Sequence, residues 1–223
     1  MRKVYYNPMP RPTVLLPVVF LTILCAAHAA QQQPTALKTS ALESHEGMTV
    51  SARPILNAAE YKEKFNKKSP YAAGVLAMQV IFRNDSDLAL KVGLDTIRLN
   101  LSLGDSGEQQ LRALSPEEVA DAVMHPGQKS PGSIRDKIPL PIPRSTSSKD
   151  KNWVAVQSAA QLAAVPSSVV GPHSTVQGWL YFDLQGQFNL LNSSHLYVPD
   201  VKIMRKDQRL TYFEIDMSRA SSN

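Results

Sequence analysis

The chain has 223 residues, of which 24 are Lys or Arg and 19 are Asp or Glu, so its formal net charge is +5 at pH 7. Three of the basic residues, Arg2, Lys3 and Arg11, precede residue 30, and the remainder carries only about +2. This balance gives no indication of nucleic-acid binding, which usually requires a strong basic excess. The single cysteine, Cys25, excludes an internal disulfide.

The first 29 residues are typical of a secretory signal peptide. A basic start is followed by an apolar run from Thr13 to Cys25, which is too short to span a membrane, and then by Ala27-His28-Ala29. We expect cleavage before Ala30 and therefore an exported protein, periplasmic or extracellular. Leu24 disfavours a lipid anchor on Cys25, since that would need a small residue there. The exported chain would contain no cysteine and no transmembrane span.

The remaining chain of about 193 residues is long enough for one domain with a sizeable core. Residues 30–46 are polar, rich in Gln and without periodicity, and predict a flexible lead-in. We expect a single domain over residues 47–217, with an insertion at about 105–170 and a tail at 218–223.

Alternating apolar residues identify the strand that we expect the other strands of the sheet to join. In residues 75–92, the side chains of Leu76, Met78, Val80 and Phe82 fall on one face, which is the period of a half-buried strand. The polar stretch at 84–87 predicts a turn, after which the alternation resumes. Residues 75–92 therefore predict a β-hairpin.

The chain on both sides of this hairpin contains two predicted strands and two predicted helices. Strands are expected at 48–52 and 97–103. Asn57 with Glu60 predicts a helix that ends near Phe65, and Ser115 with Pro116 predicts the start of a second helix.

Residues 125–152 contain five prolines and no clear period. A connection of this length is either functional or disordered. The prolines confine 137–143 to extended backbone. Either this insertion is a mobile surface excursion, or its apolar residues add to a sheet edge or contact another envelope protein; these are Ile138, Leu140 and Ile142. The alanines in 153–164 favour a further short helix.

The last fifty residues return to a strand pattern. Strands are expected at 176–184, at 196–204 with a bend at Pro199, and at 210–217 with Phe213, Ile215 and Met217 facing inward. Six or seven strands joined mostly by short turns favour a mainly β protein over a parallel α/β one. We predict an immunoglobulin-like antiparallel β-sandwich with two short helices and one long Pro-rich insertion.

Two segments resemble secreted bacterial immunoglobulin-like domains of unknown function. One is GVLAMQVIFRNDSD at 74–87, and the other is VGPHSTVQGWLYF at 170–182, where a Pro/Gly turn precedes G-x-L-x-F. The closing LTYFEI at 210–215 is similar as well. The resemblance implies a fold and an exported location, and it supplies no catalytic residue.

Three groups of residues in the sequence contain side chains that can bind metal or catalyse a reaction. The four histidines after the signal peptide lie too far apart in sequence for a compact zinc site. Ser194, His195 and Asp200 could form a triad, but no nucleophile elbow accompanies them. Calcium needs more ligands than the turn at 84–87 offers, so we expect its side chains to bond to the turn backbone instead. We predict no enzymatic activity, no cofactor and no metal.

Outward aromatic residues are the main functional signal in the sequence. If Leu180 and Phe182 face inward, then Trp179 and Tyr181 face outward, as does Tyr212. Either the predicted helices cover these residues as a second small core, or they form an exposed platform for a glycan or a protein. We predict a non-enzymatic envelope module that acts through protein contact, and alternatively a carbohydrate-binding module that uses Trp179 and Tyr181. The expected partner is an envelope protein or a glycan.

Overall fold

The computed structural model describes residues 40–65, 68–104, 107–126 and 150–220. This part of the chain is mainly β, with three four-stranded antiparallel sheets and three α-helices. None of its helices is both long enough and apolar enough to span a membrane.

The first sheet contains the alternating strand identified in the sequence. Its order is β1-β2-β3-β8, and all neighbours are antiparallel. The inward side chains of Met78, Val80 and Phe82 are fully buried, so the predicted face is confirmed. The strands are β1 (Ala41–His45), β2 (Met48–Ile55), β3 (Val75–Asn84) and β8 (Ser174–Asp183).

The second sheet has the order β12-β9-β5-β6. The predicted strand at 97–103 forms its centre, and the predicted inward residues Phe213, Ile215 and Met217 of the closing segment are buried. Its strands are β5 (Arg98–Ser102), β6 (Glu108–Arg112), β9 (Ser194–Val198) and β12 (Phe213–Asp216).

The third sheet is made of short strands in the order β11-β10-β4-β7. Pro199 separates β9 from β10, so the predicted strand at 196–204 is divided between two sheets at the expected bend. The strands are β4 (Leu90–Val92), β7 (Val169–Val170), β10 (Val201–Ile203) and β11 (Gln208–Arg209).

The predicted hairpin at 75–92 is wrong, because β3 and β4 belong to different sheets. The turn between them is held by the buried Asn84, whose amide donates to the carbonyls of Leu88 at 2.7 Å and Gly171 at 2.9 Å. These bonds join the turn to the segment after β7 and direct the chain into the third sheet. Asn84 and Ser86 therefore bond to backbone, as expected, whereas Asp85 and Asp87 pair with the side chains of Arg83 and His173.

One hydrophobic core receives the inward side chains of all three sheets. Val50 and Phe82 come from the first sheet, Leu99 and Ile215 from the second, and Val92 from the third. Burial of these apolar side chains is the main favourable contribution to folding of such a domain.

Three helices build a second buried cluster against the outer face of the first sheet. They are α1 (Ala58–Phe65), α2 (Pro116–Met124) and α3 (Lys151–Ala163). The third, α3, has 13 residues and lies where the alanines in 153–164 favoured a further short helix, so the two short helices predicted for the sandwich are too few. The predicted start of α2 is confirmed: the Ser115 hydroxyl accepts the Glu118 N–H, and the Glu118 carboxylate accepts the Ser115 N–H.

The predicted domain boundaries also change. The flexible lead-in is wrong from Ala41 onward, because 41–45 form β1, and Ala220 of the predicted tail is buried in the core. The described parts of the predicted insertion at 105–170 contain β6, α2, α3 and β7. The predicted signal peptide, and the stretch that holds Ile138, Leu140 and Ile142, lie outside the described residues.

Candidate contact surface

Trp179 and Tyr181 are buried, so their prediction as an exposed platform is wrong. Their side chains are 6% and 1% exposed. The helices cover the half of the first sheet from which these rings project, and the alternative of a second small core is confirmed. A sugar ring cannot stack on either side chain, and the predicted carbohydrate site on these two residues is excluded.

The contacts of the two rings explain why the helices lie there. Trp179 packs against Tyr61 and Phe65 of α1, with ring centroids 5.6 and 6.3 Å away. The Tyr181 hydroxyl donates to the carbonyl of Ala160 in α3 at 3.2 Å. Burial raises the pKa of the Tyr181 hydroxyl above its usual value. These residues are structural.

Among the predicted contact residues that the structure describes, Tyr212 lies at the surface. Its side chain is 50% exposed, and its ring lies 5.4 Å from that of Tyr197 at an angle of 54°. Tyr197 belongs to β9, and Tyr212 immediately precedes β12. The two rings therefore form an aromatic pair on the outer face of the second sheet.

Polar side chains surround this pair in a regular array. Tyr197 lies between Glu214 and Arg98 on the neighbouring strands, and His195 lies between Asp216 and Asn100. The buried cluster formed by the helices includes no residue of β5, β9 or β12. We call this surface the aromatic face and define it by Tyr197, Tyr212, Arg98, His195 and Glu214.

Asp216 has a fixed charge beside the aromatic face. The hydroxyl and the N–H of Ser218 donate to its carboxylate at 2.6 and 2.9 Å, which lowers its pKa. Such bonds favour the ionised form. Asp216 therefore stays negative at neutral pH, next to the exposed ring of His195.

A second polar feature lies on the third sheet. Two of its strands belong to the same chain segments as the aromatic face, because β10 follows β9 and β11 precedes β12. Lys202 of β10 is the cross-strand neighbour of both Lys91 in β4 and Arg209 in β11. We call Arg209, Lys202 and Lys91 the basic row. Asp200 lies within 3.3 Å of Arg209 and 3.9 Å of Lys202.

The basic row could not be identified from the sequence. Lys202 and Arg209 are separated by a short polar turn, which does predict that they are close. Lys91 is more than a hundred positions away, and only the pairing of β4 with β10 brings it to the row.

The other candidate chemistry is not assembled. The buried Ser194 hydroxyl donates to the Leu191 carbonyl, whereas His195 is exposed, and Asp200 pairs with Arg209. Within the described ranges, no three side chains of His, Cys, Asp or Glu are grouped as metal ligands would be.

Comparisons with known proteins assign no family. No family model and no curated protein sequence matches the chain. One solved structure resembles it, "The crystal structure of a functionally unknown protein from Listeria monocytogenes EGD-e". The two are 15% identical with a TM-score of 0.31, and the match covers 81% of this chain and 73% of the other. A likeness this low carries no argument about fold or function.

Proposed function

We propose that this protein is an exported, non-enzymatic binding module of the cell envelope that acts through protein–protein contact at the aromatic face. The observation that carries the proposal is the Tyr197–Tyr212 pair, because it places two large aromatic rings at the surface of the second sheet.

The chemistry of the aromatic face supports contact with a protein. Tyrosine and arginine are enriched in the residues that contribute most to binding at protein interfaces. Tyr212 presents apolar area at a small cost in conformational entropy, while Arg98, His195 and Glu214 offer hydrogen-bonding groups around it. A partner could therefore bury the rings and satisfy the polar rim.

The fold and location are part of the same proposal. We regard the first and second sheets, which share one core, as the two layers of an immunoglobulin-like sandwich. The basic and apolar pattern of residues 1–29 supports export. Appearance of the protein in the envelope fraction with Ala30 at its N-terminus would test that part.

Site-specific photo-crosslinking tests the contact directly. A benzoylphenylalanine placed at Tyr212 of the full chain, in the native envelope, is expected to give one discrete crosslinked protein. The matched control places the same residue at Leu162, which is 88% exposed on α3. We expect no such band from position 162.

A second variant checks that the band depends on the face. Tyr197→Ser should reduce the crosslink from position 212 while the unfolding curve remains cooperative. Identical bands from positions 212 and 162, or no band from either, would contradict the proposal.

A further inference from the structure

The basic row brings three positive side chains together across adjacent strands. Neighbouring strands of a sheet lie about 4.8 Å apart, and the pairing of Arg209 with Lys202 and of Lys202 with Lys91 therefore aligns three cations over about 10 Å. Like charges directly opposite each other destabilise a sheet. The unbound protein thus retains an unfavourable arrangement at this position.

The acidic side chains near the basic row do not neutralise all of its positive charge. Asp200 contacts Arg209 and Lys202, but within the described residues no hydrogen bond or ion pair engages the exposed Lys91. The β10–β11 turn adds two more exposed cations, and two exposed aspartates lie nearby. The patch contains five cations and three anions, namely Lys91, Lys202, Arg205, Lys206 and Arg209 against Asp95, Asp200 and Asp207.

A shallow cleft of about 280 Å³ lies beside the row. Lys91 and Lys202 line it together with Met204, whose side chain is 52% exposed at the start of the turn. Gly93 also lines it, and an added Cβ there would be 3.0 Å from the Asp200 carboxylate. The cleft therefore combines two ammonium groups and an apolar, adaptable side chain with the carboxylates of Asp95, Asp200 and Asp207.

The row and the aromatic face lie on one continuous ribbon. The segment with Tyr197 continues into Lys202, and the segment with Tyr212 is preceded by Arg209. The Leu210 N–H donates to the Val201 carbonyl at 2.8 Å, which keeps the two segments paired between the two sites.

We propose that the basic row and its cleft bind an acidic segment of a protein partner, and this rests on the proposed function of the aromatic face. Carboxylates on such a segment would pair with Lys91 and Lys202, and a neighbouring apolar side chain would contact Met204. A membrane surface fits less well, because a uniform layer of negative headgroups would also meet Asp95, Asp200 and Asp207. Discrete side chains can avoid these aspartates.

Binding of poly-L-glutamate to the full exported chain tests the proposal. Fluorescence anisotropy at low salt should detect binding that weakens as salt is raised, since exposed charges are screened. Lys91→Gln/Lys202→Gln should weaken it about five- to tenfold, the effect of two exposed ion pairs. The matched control, Lys62→Gln/Lys151→Gln, removes the same charge from exposed positions on α1 and α3 and should have little effect.

Three results would overturn the inference. The wild-type chain could fail to bind poly-L-glutamate, or both double variants could weaken binding equally, which would reduce the effect to net charge. The lysine pair could instead be required for phosphatidylglycerol vesicles and not for the polymer, which would assign the row to lipid.

The two proposals fail separately. Tyr212→Ser should leave poly-L-glutamate binding within about twofold, because the tyrosine lies outside the row. Loss of the crosslink from position 212 with lysine-dependent polymer binding intact would remove the proposed function and leave the basic row. The opposite result would remove only the row.

Discussion

The main-chain N–H of Ala77 donates to the Tyr61 hydroxyl at 2.7 Å, and that hydroxyl donates to the Ile55 carbonyl at 3.0 Å. Ala77 and Ile55 are paired residues of β3 and β2. A helix side chain therefore completes the end of the β2–β3 ladder. The hydroxyl is fully enclosed by the second buried cluster.

We expect Tyr61→Phe to destabilise the protein by about 1–3 kcal/mol, because it leaves a buried N–H and a buried carbonyl without their partner. The ring remains, so packing changes little. Urea unfolding measures the difference. Tyr212→Phe is the matched control and should change stability by less than about 0.5 kcal/mol, as surface substitutions do; equal effects of the two would contradict the role of the hydroxyl.

The stability of the protein should fall at alkaline pH. Burial raises the pKa of Tyr61 and of Tyr181 above the usual value. Both hydroxyls stay protonated in the folded state but ionise in the unfolded chain above about pH 10. The folded state then binds more protons, so this contribution is present below pH 10 and is lost as the pH rises.

The expected loss is about 1.4 kcal/mol per pH unit for each buried tyrosine. Unfolding free energies between pH 9 and pH 12 measure the slope. Tyr181→Phe should reduce this slope by the contribution of one buried tyrosine, about 1.4 kcal/mol per pH unit. A slope that is the same in wild type and variant would show that other groups cause the loss.

The seam between β1 and β12 is formed by side chains. The carboxylates of Glu43 and Glu46 accept the N–H groups of Glu214 and Thr211. The Thr211 N–H lowers the pKa of Glu46. This contact is therefore present at neutral pH and is lost on acidification through that lowered pKa, below the usual value for glutamate.

We expect Glu46→Ala to accelerate amide hydrogen exchange at Thr211 at neutral pH, because the N–H loses its acceptor and meets water. Exchange measured residue by residue by NMR checks this. Glu108→Ala, on the exposed edge strand β6, is the control and should leave Thr211 unchanged. Unaltered protection in Glu46→Ala would mean that backbone burial alone protects the group.

A close backbone approach requires glycine at position 178. An added Cβ would lie 2.5 Å from the backbone of Val165, where the chain after α3 forms a parallel bridge between Ala164 and Trp179. Gly178→Ala should destabilise by about 1–3 kcal/mol, as overpacking does.

Thermal or urea unfolding measures the cost at position 178. Gly171→Ala is the matched control, since its Cβ would meet only the Ser174 side chain, with the hydroxyl at 3.2 Å and the Cβ at 4.0 Å. The control should change stability by less than the Gly178 variant. A reversed order would contradict the steric argument.

Much of the local structure could be predicted because it depends on neighbours in sequence. The alternation in 76–82 determined which face of β3 is buried, and Ser115 with Glu118 determined the start of α2. The inward residues of the closing segment followed from the same period of two. These patterns depend on backbone geometry that each short segment possesses by itself.

The position of a strand within a sheet could not be predicted in this way. The residues 84–87 predict a turn, but Asn84 bonds to Gly171, far along the chain, and this contact takes β4 into another sheet. Strand spacing gives no sign of it. The two strands that the alternation predicts as a hairpin, β3 and β4, therefore lie in different sheets.

The sequence by itself determined the strand faces, the helix starts and the alternation that makes Trp179 and Tyr181 point away from the main core, because these follow from the geometry of a few adjacent residues. Only the tertiary structure decided that three helices cover those two rings while Tyr212 stays exposed, and that Lys91 joins Lys202 and Arg209. Both outcomes depend on contacts between segments far apart in the chain, and alternation along one strand contains no information about what packs on it.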